Sequence, residues 1–212
     1  MIRGNVGPTD TTITAIVLAA GAGTRFSDVG HKLLAMLPST AYRPSESVVM
    51  RSTTAALRAF PTGLVVVTGR MSQSELSLGD LLRHNDIFVT HNGDWGDGQA
   101  TSVQHGLDVA RERDSEIAVI GLADQPGITP DAWRAVANAA LDGAPIAVAT
   151  YSGRRANPVA LRHDVWDLLT TAGDEGARSV MALRPELVRE VPCTGSPTDI
   201  DTVEDLRRWQ NN

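Results

Sequence analysis

The chain has 212 residues, of which 42% are hydrophobic and 21% are charged, and its formal net charge is −6. This length suits one well-buried α/β domain and is short for two. The negative charge argues against nucleic-acid binding through phosphate neutralisation, and no apolar run approaches the roughly 20 residues of a membrane helix.

The chain has one cysteine, Cys193, which rules out an internal disulfide and fits a reducing compartment. Its N-terminus is polar and lacks the basic-then-apolar pattern of a signal peptide. We therefore predict a cytoplasmic protein with a flexible leader over residues 1–12, a single domain over residues 13–212, and neither a nucleic-acid nor a membrane partner.

Apolar runs typical of buried strands alternate with helical patterns along most of the chain. The predicted strands are Ile13–Ala19, Leu64–Thr68, Ile87–Thr90, Ile117–Leu122, Pro145–Tyr151, Asn157–Leu161 and Leu187–Val191. The predicted helices are Glu46–Ala59, Ser72–His84, Ala100–Arg111, Asp131–Leu141, His163–Thr170, Glu175–Leu183 and Val203–Gln210. This alternation predicts an α/β fold, a Rossmann-like three-layer sandwich with a mainly parallel sheet and helices on both faces.

Three connections have patterns of their own. Residues 152–156 predict a hairpin or a short antiparallel excursion, and residues 38–44 predict a surface loop. The segment Thr202–Asp205 resembles a capping box, with Asp205 in place of the usual Glu, and predicts the start of the last helix.

The first strand runs into a loop of small residues that is followed by Arg25 and Lys32. Small side chains leave backbone N–H groups accessible, and guanidinium or ammonium groups complement anionic oxygens, so the segment predicts a polyphosphate site. The alternative is a tight strand–helix turn whose glycines only permit packing. The loop is not a Walker A motif, and Phe26 stands where a dinucleotide fingerprint needs its third glycine.

Acidic residues follow two later segments. Asp124 comes directly after the strand ending at Leu122, where a carboxylate could hold Mg²⁺ or, alternatively, cap the next turn. In Asp199-Ile200-Asp201, alternation places both carboxylates on one face. One could complete a metal site with Asp124, and the other could cap the last helix. The five histidines show no zinc-binding pattern.

Seven segments, taken in order, resemble the molybdenum cofactor nucleotidyltransferases, most closely the cytidylyltransferase branch. They are LAAGAGTRF from Leu18, Lys32-Leu33-Leu34, GQATS from Gly98, LADQPG from Leu122, NPVAL from Asn157, GDEGARSV from Gly173 and DIDTVEDL from Asp199. The resemblance implies a nucleotidyltransferase fold of the GT-A-like kind and transfer of CMP from CTP to molybdopterin, with release of pyrophosphate. It also implies Mg²⁺ as cofactor and a molybdenum hydroxylase as recipient of the product.

The resemblance further implies roles for individual residues. Catalysis would depend on Arg25, Lys32 and Asp124, and Mg²⁺ would be held by Asp124 and Asp201. The nucleotide would contact Leu18, Ala19, Ala20, Gly21, Ala22, Gly23, Thr24, Arg25, Lys32, Thr68, Gly69, Gln99 and Ser102. The acceptor would contact Asn157, Pro158, Gly173, Asp174 and Arg178. Ala20, where guanine-using relatives tend to have a second glycine, favours CTP over GTP.

The chain departs from the family pattern at three places. Arg25 and Lys32 are seven positions apart where relatives more often have five, residues 38–44 replace a Gly-x-Pro-Leu turn, and Asn157 stands where histidine is frequent. Two other functions stay open. One is an NAD(P)H-dependent oxidoreductase, because nicotine blue oxidoreductase resembles the same family. The other is a non-catalytic protein that delivers the cofactor.

Overall fold

The computed structural model describes residues 12–39, 44–84 and 87–211. Within these ranges it has nine strands and six α-helices. The strands are β1 (Ile13–Ala19), β2 (Met36–Leu37), β3 (Glu46–Ser47), β4 (Leu64–Thr68), β5 (Ile87–His91), β6 (Ile117–Leu122), β7 (Ile146–Tyr151), β8 (Arg154–Arg162) and β9 (Val188–Pro192). The helices are α1 (Val48–Ala59), α2 (Gly79–His84), α3 (Gln99–Glu112), α4 (Pro130–Leu141), α5 (Ala177–Leu183) and α6 (Val203–Gln210).

Seven strands form one mixed sheet in the order β5-β4-β1-β6-β8-β7-β9, and β2 pairs with β3 separately. Strands β5, β4, β1 and β6 run parallel to one another, whereas β8 is antiparallel to β6 and β7. The register places Leu18 of β1 beside Leu122 of β6, and Ala19 beside Thr68 of β4. The segments that follow these three strands therefore leave the sheet along one edge.

Helices cover both faces of this sheet, as the uniformly apolar strands predict. Ala15, Val17 and Ala19 of β1 lie in the core that includes α1 and α4, while Ile16 and Leu18 lie in the core that includes α3 and α5. All five side chains are buried, because a central strand in a three-layer sandwich has no solvent face. The predicted α/β three-layer architecture is confirmed.

Several predicted boundaries are wrong for local reasons. The helix predicted from Glu46 begins at Val48, because Glu46 and Ser47 pair with β2 and the Ser47 hydroxyl accepts a hydrogen bond from the N–H of Met50. The helix predicted from Ser72 begins only at Gly79. Ser72 and Glu75 instead hydrogen-bond to each other and form a turn, and Ser77 has a positive φ of 56°.

The later elements follow the predictions more closely. The hairpin between β7 and β8 turns at Ser152-Gly153, both with positive φ, so β8 begins at Arg154 rather than Asn157. The helix predicted over residues 163–170 is a 3₁₀ helix, His163–Leu168. The Thr202–Asp205 capping box is present. Of the predicted loop over residues 38–44, residues 40–43 lie outside the described residues. No helix within the described ranges is long and apolar enough to cross a membrane.

Candidate active site

A cleft of about 420 Å³ lies at the sheet edge where β1 and β6 end. The cleft brings together most of the predicted phosphate, metal and nucleoside residues. Its lining consists of Leu18, Ala19, Ala20, Gly21, Ala22, Arg25, Lys32, Leu33, Trp95, Gly96, Gly98, Gln99, Ser102, Leu122, Asp124, Asp174, Arg178, Asp199 and Asp201.

Lys32 lies at the centre of an ionic network in this cleft. Its Nζ donates hydrogen bonds to Asp124 Oδ2 and to Asp201 Oδ1, each at 2.6 Å, and its side chain is 13% exposed. Burial alone would lower the pKa of Lys32, but the Asp124 and Asp201 carboxylates more than offset this and raise it. Lys32 is the only lysine among 19 basic residues of the sequence. The site therefore holds a protonated ammonium group between two carboxylates.

The carboxylates of this network fit a divalent cation. Asp124 Oδ1 is buried and has no hydrogen-bond partner among the described residues, so one oxygen of this carboxylate is unsatisfied. Asp201 Oδ2 contacts Arg25 at 2.8 Å, and the Arg25 side chain is 70% exposed. No group of three or more potential ligand side chains converges within the described ranges. Two carboxylates suit Mg²⁺, which usually takes one or two protein carboxylates and completes its shell with phosphates and water.

Asp199 lies beside this pair but has a different environment. It lines the same cleft as Asp201, and the intervening Ile200 is buried, so alternation places both carboxylates on one face as predicted. Burial, and then repulsion from Asp124, raise the pKa of Asp199, while a 2.7 Å hydrogen bond from Gln125 Nε2 opposes the shift. Neither carboxylate caps α6, because the Thr202 and Asp205 side chains perform that role.

The small-residue loop after β1 exposes backbone donors to the cleft. The N–H groups of Gly21, Ala22 and Gly23 donate to no other group within the described part of the chain. A Cβ atom on Gly21 would meet nothing within 4 Å, so the loop backbone is open at that point. Unpaired amides next to Arg25 and Lys32 are groups of the kind that complement an anion. Gly23 and Thr24 belong to the loop but do not line the cleft.

The opposite wall of the cleft is formed by the segment that enters α3. Gly98 has φ +110°, and a Cβ there would collide with the Gly173 carbonyl, which accepts a hydrogen bond from the N–H of Ala100. The Asp174 carboxylate accepts a hydrogen bond from the N–H of Gln99. The Gly173-Asp174 segment therefore fixes the start of α3, and Gln99 and Ser102 line the cleft.

Thr68 and Gly69, predicted to contact the nucleoside, lie behind the cleft wall rather than on it. Thr68 is 1% exposed, and its hydroxyl donates to the Thr90 carbonyl. Gly69 packs so closely on Ala20 and Trp95 that a Cβ there would lie 2.7 Å from the Ala20 methyl. Trp95 lines the cleft and was not predicted. Its sequence signal was an aromatic residue in the loop directly before α3.

A second cavity of about 270 Å³ adjoins the cleft and shares Gln99 and Arg178 with it. Its interior is formed by Val103, Ile120, Val148, Ala156, Val159, Leu161, Ala177, Met181 and Ala182, with Glu175, Arg155 and Asn157 as further polar members. Asn157 donates to Gln125 Oε1, which links it to Asp199 through the Gln125 amide. Pro158 and Gly173 line neither cavity. Arg178 has no ion-pair partner within the described residues and lies where the two cavities meet.

Comparisons with known proteins agree with this geometry. The sequence model of the MobA-like NTP transferase domain matches residues 15–191. Rv0371c from Mycobacterium tuberculosis H37Rv is 24% identical, with 96% of this chain and 100% of that chain covered and a TM-score of 0.73. A structure of Rv0371c in complex with manganese is 24% identical, covers 95% and 100%, and has a TM-score of 0.66.

A nucleotidyl transferase from Methanothermobacter thermautotroptrophicus, Mth528, is 22% identical, covers 94% of this chain and 96% of that chain, and has a TM-score of 0.73. No match was found among curated protein sequences. Fold and sequence together define a nucleotidyltransferase. The chain belongs to the MobA-like NTP transferase family.

Proposed function

We propose that this protein transfers CMP from CTP to the terminal phosphate of molybdopterin and releases pyrophosphate. The observation that carries the proposal is the Asp124–Lys32–Asp201 network beside the unpaired amides of the Gly21–Gly23 loop. Two kinds of group, cations with free N–H groups and carboxylates, line this one cleft. A metal-bound triphosphate needs both.

The chemistry requires positioning and charge neutralisation rather than a general base. An acceptor phosphate is largely dianionic near neutral pH, because its second pKa is about 6. Its oxygen attacks the α-phosphorus of CTP, the bond from that phosphorus to the β-phosphate oxygen breaks, and pyrophosphate leaves. Lys32, Arg25 and the loop amides would hold the β- and γ-phosphates and stabilise the leaving charge. Asp124 and Asp201 would hold Mg²⁺, which supplies further neutralisation when bound.

The adjoining cavity supports an acceptor with a flat ring system. Its aliphatic walls suit the faces of a ring, and Asn157, Gln99 and Glu175 offer polar groups for ring edges. Arg178 lies between this cavity and the cleft, where it would bind the acceptor phosphate. The product would then pass to a molybdenum hydroxylase.

The preference for CTP is supported by the packing of Ala20. Ala20 is 5% exposed, its methyl lies close to Gly69, and the residue forms part of the cleft wall together with Trp95. A methyl at this point leaves less room for a purine than the second glycine of guanine-using relatives would. Overpacking of this kind typically costs about 1–3 kcal/mol.

One assay tests the function and separates it from its alternatives. Purified protein is incubated with Mg²⁺, molybdopterin and each nucleoside triphosphate, and pyrophosphate release is measured. We expect release with CTP, its loss in Asp124→Asn, and no change in the exposed control Asp142→Asn. Thermal stabilisation by NADPH but not by CTP with Mg²⁺ would favour the oxidoreductase. Binding of CTP or molybdopterin without pyrophosphate release would favour the delivery protein.

A further inference from the structure

His31 directly precedes Lys32, and its imidazole ring hydrogen-bonds on both sides. Nδ1 accepts from the N–H of Leu33 at 3.3 Å, which caps the short 3₁₀ turn Lys32–Leu34. Nε2 lies 3.3 Å from the Gly21 carbonyl oxygen. An amide N–H can only donate and a carbonyl can only accept, so both bonds form together only in a neutral ring that carries its hydrogen on Nε2.

The ring also packs against the backbone of the small-residue loop. Gly23 has φ +62°, and a Cβ at this position would lie 2.9 Å from His31 Nε2. Leu33, on the other side of the ring, is 2% exposed and anchors the turn in the core. The loop backbone is thus held against a turn that is itself fixed to the protein.

We propose that His31 is a positioning residue that couples the Gly21–Gly23 loop to Lys32 for triphosphate binding. The loop amides and the Lys32 ammonium are on segments separated by Thr24–Gly30, and the His31 ring bridges them directly. His31 does not line the cleft itself, so it acts through these groups rather than on the nucleotide. The inference rests on the proposed function, because both groups belong to the same triphosphate site.

The first experiment uses the ligand-free protein and does not depend on turnover. Long-range ¹H–¹⁵N spectra near pH 7.5 distinguish the two neutral histidine tautomers. We expect the His31 ring to carry its hydrogen on Nε2. A ring protonated on Nδ1 would overturn the proposal, since it could not accept from Leu33.

The second experiment measures binding of inorganic triphosphate and of CTP, each with Mg²⁺, by calorimetry. His31→Ala loses both hydrogen bonds, and we expect about 10- to 30-fold weaker binding. His31→Asn keeps an acceptor for Leu33 N–H, and His31→Gln can place a donor towards Gly21, so each is expected to bind with intermediate affinity. The exposed residue His163 provides the matched control, and His163→Ala is expected to bind as the wild type does.

A double-mutant cycle separates positioning from a general effect on the fold. In a Lys32→Ala background, His31→Ala is expected to cost less than about threefold in affinity, because one of the groups it positions is gone. An equal loss in both backgrounds, or His31→Ala binding within twofold of the wild type, would overturn the proposal. If the wild type binds triphosphate but releases no pyrophosphate from CTP, the proposed function is wrong, and these measurements still decide the role of His31.

Discussion

The Lys32 ammonium lies between Asp124 and Asp201, the two carboxylates that would hold a divalent cation under the proposed function. Lys32→Met removes the charged amino group and retains most of the side-chain length. It eliminates two charge-assisted hydrogen bonds of 2.6 Å and leaves two carboxylates without their common cation. Each such bond contributes about 1.5–3 kcal/mol, but the partners are 13–20% exposed and solvent screens part of the interaction.

We therefore expect Lys32→Met to lower the free energy of unfolding by about 2–3 kcal/mol without metal. For a chain of this length that corresponds to a Tm lower by roughly 4–12 °C. Mn²⁺ alone should then raise the Tm of the variant more than that of the wild type, because the carboxylates no longer hold an internal cation. Pyrophosphate release should fall by about 100-fold or more.

The assay is a thermal-unfolding titration with Mn²⁺ and Mg²⁺ in the absence of nucleotide. The control is Arg134→Met, which breaks an exposed ion pair with Asp131 and a hydrogen bond to the Arg58 carbonyl, and it is expected to change the stability by only about 1 kcal/mol. An equal response of wild type and Lys32→Met to Mn²⁺ would refute the reasoning, since Lys32 would then not compete with the metal. So would a variant that retains wild-type turnover.

Four further outcomes are expected. Asp124→Asn should keep the fold and reduce pyrophosphate release by at least about 100-fold, and Asp201→Asn should reduce it by a smaller factor. Activity of Asp124→Asn within a few-fold of the wild type would contradict the metal assignment. Arg25→Ala should weaken CTP binding by about 10-fold or more, with incomplete rescue by Arg25→Lys, and calorimetry checks both. The wild type should bind CTP about 10- to 100-fold more tightly than GTP, and Ala20→Gly should reduce this ratio of affinities. Equal affinities of the wild type for CTP and GTP would refute the base preference. Burial lowers the pKa of His31 more than the hydrogen bond to the Gly21 carbonyl raises it. The neutral ring therefore contributes stability above about pH 6.5, and this stability is lost as the pH falls through the pKa of the folded state. The Tm advantage of the wild type over His31→Asn should accordingly shrink between pH 7.5 and 5.

Much of this protein follows from local sequence patterns. Ile13–Ala19 is apolar at every position but Thr14, which is typical of a strand covered on both faces, and both of its faces are buried in the structure. The carboxyl ends of parallel strands meet at one edge of the sheet, and the loop after Ala19 and the carboxylate of Asp124 each follow such an end. Residue types that serve one chemistry, and that follow the ends of predicted strands, can be recognised from the sequence alone.

Only the tertiary structure decided which of these residues meet. Lys32, Asp124 and Asp201 are far apart in sequence, and no periodicity predicts that one ammonium joins both carboxylates. Thr68 has a hydroxyl group of the kind that contacts nucleosides, but this hydroxyl donates to the Thr90 carbonyl of β5. Trp95 instead reaches the cleft, because its loop returns over the end of β4. His31 carried no pattern that indicated a role. Which side chains become partners when 90 or more residues separate them depends on the order of the strands in the sheet. That order arises from packing of the whole core rather than from any single segment of the chain.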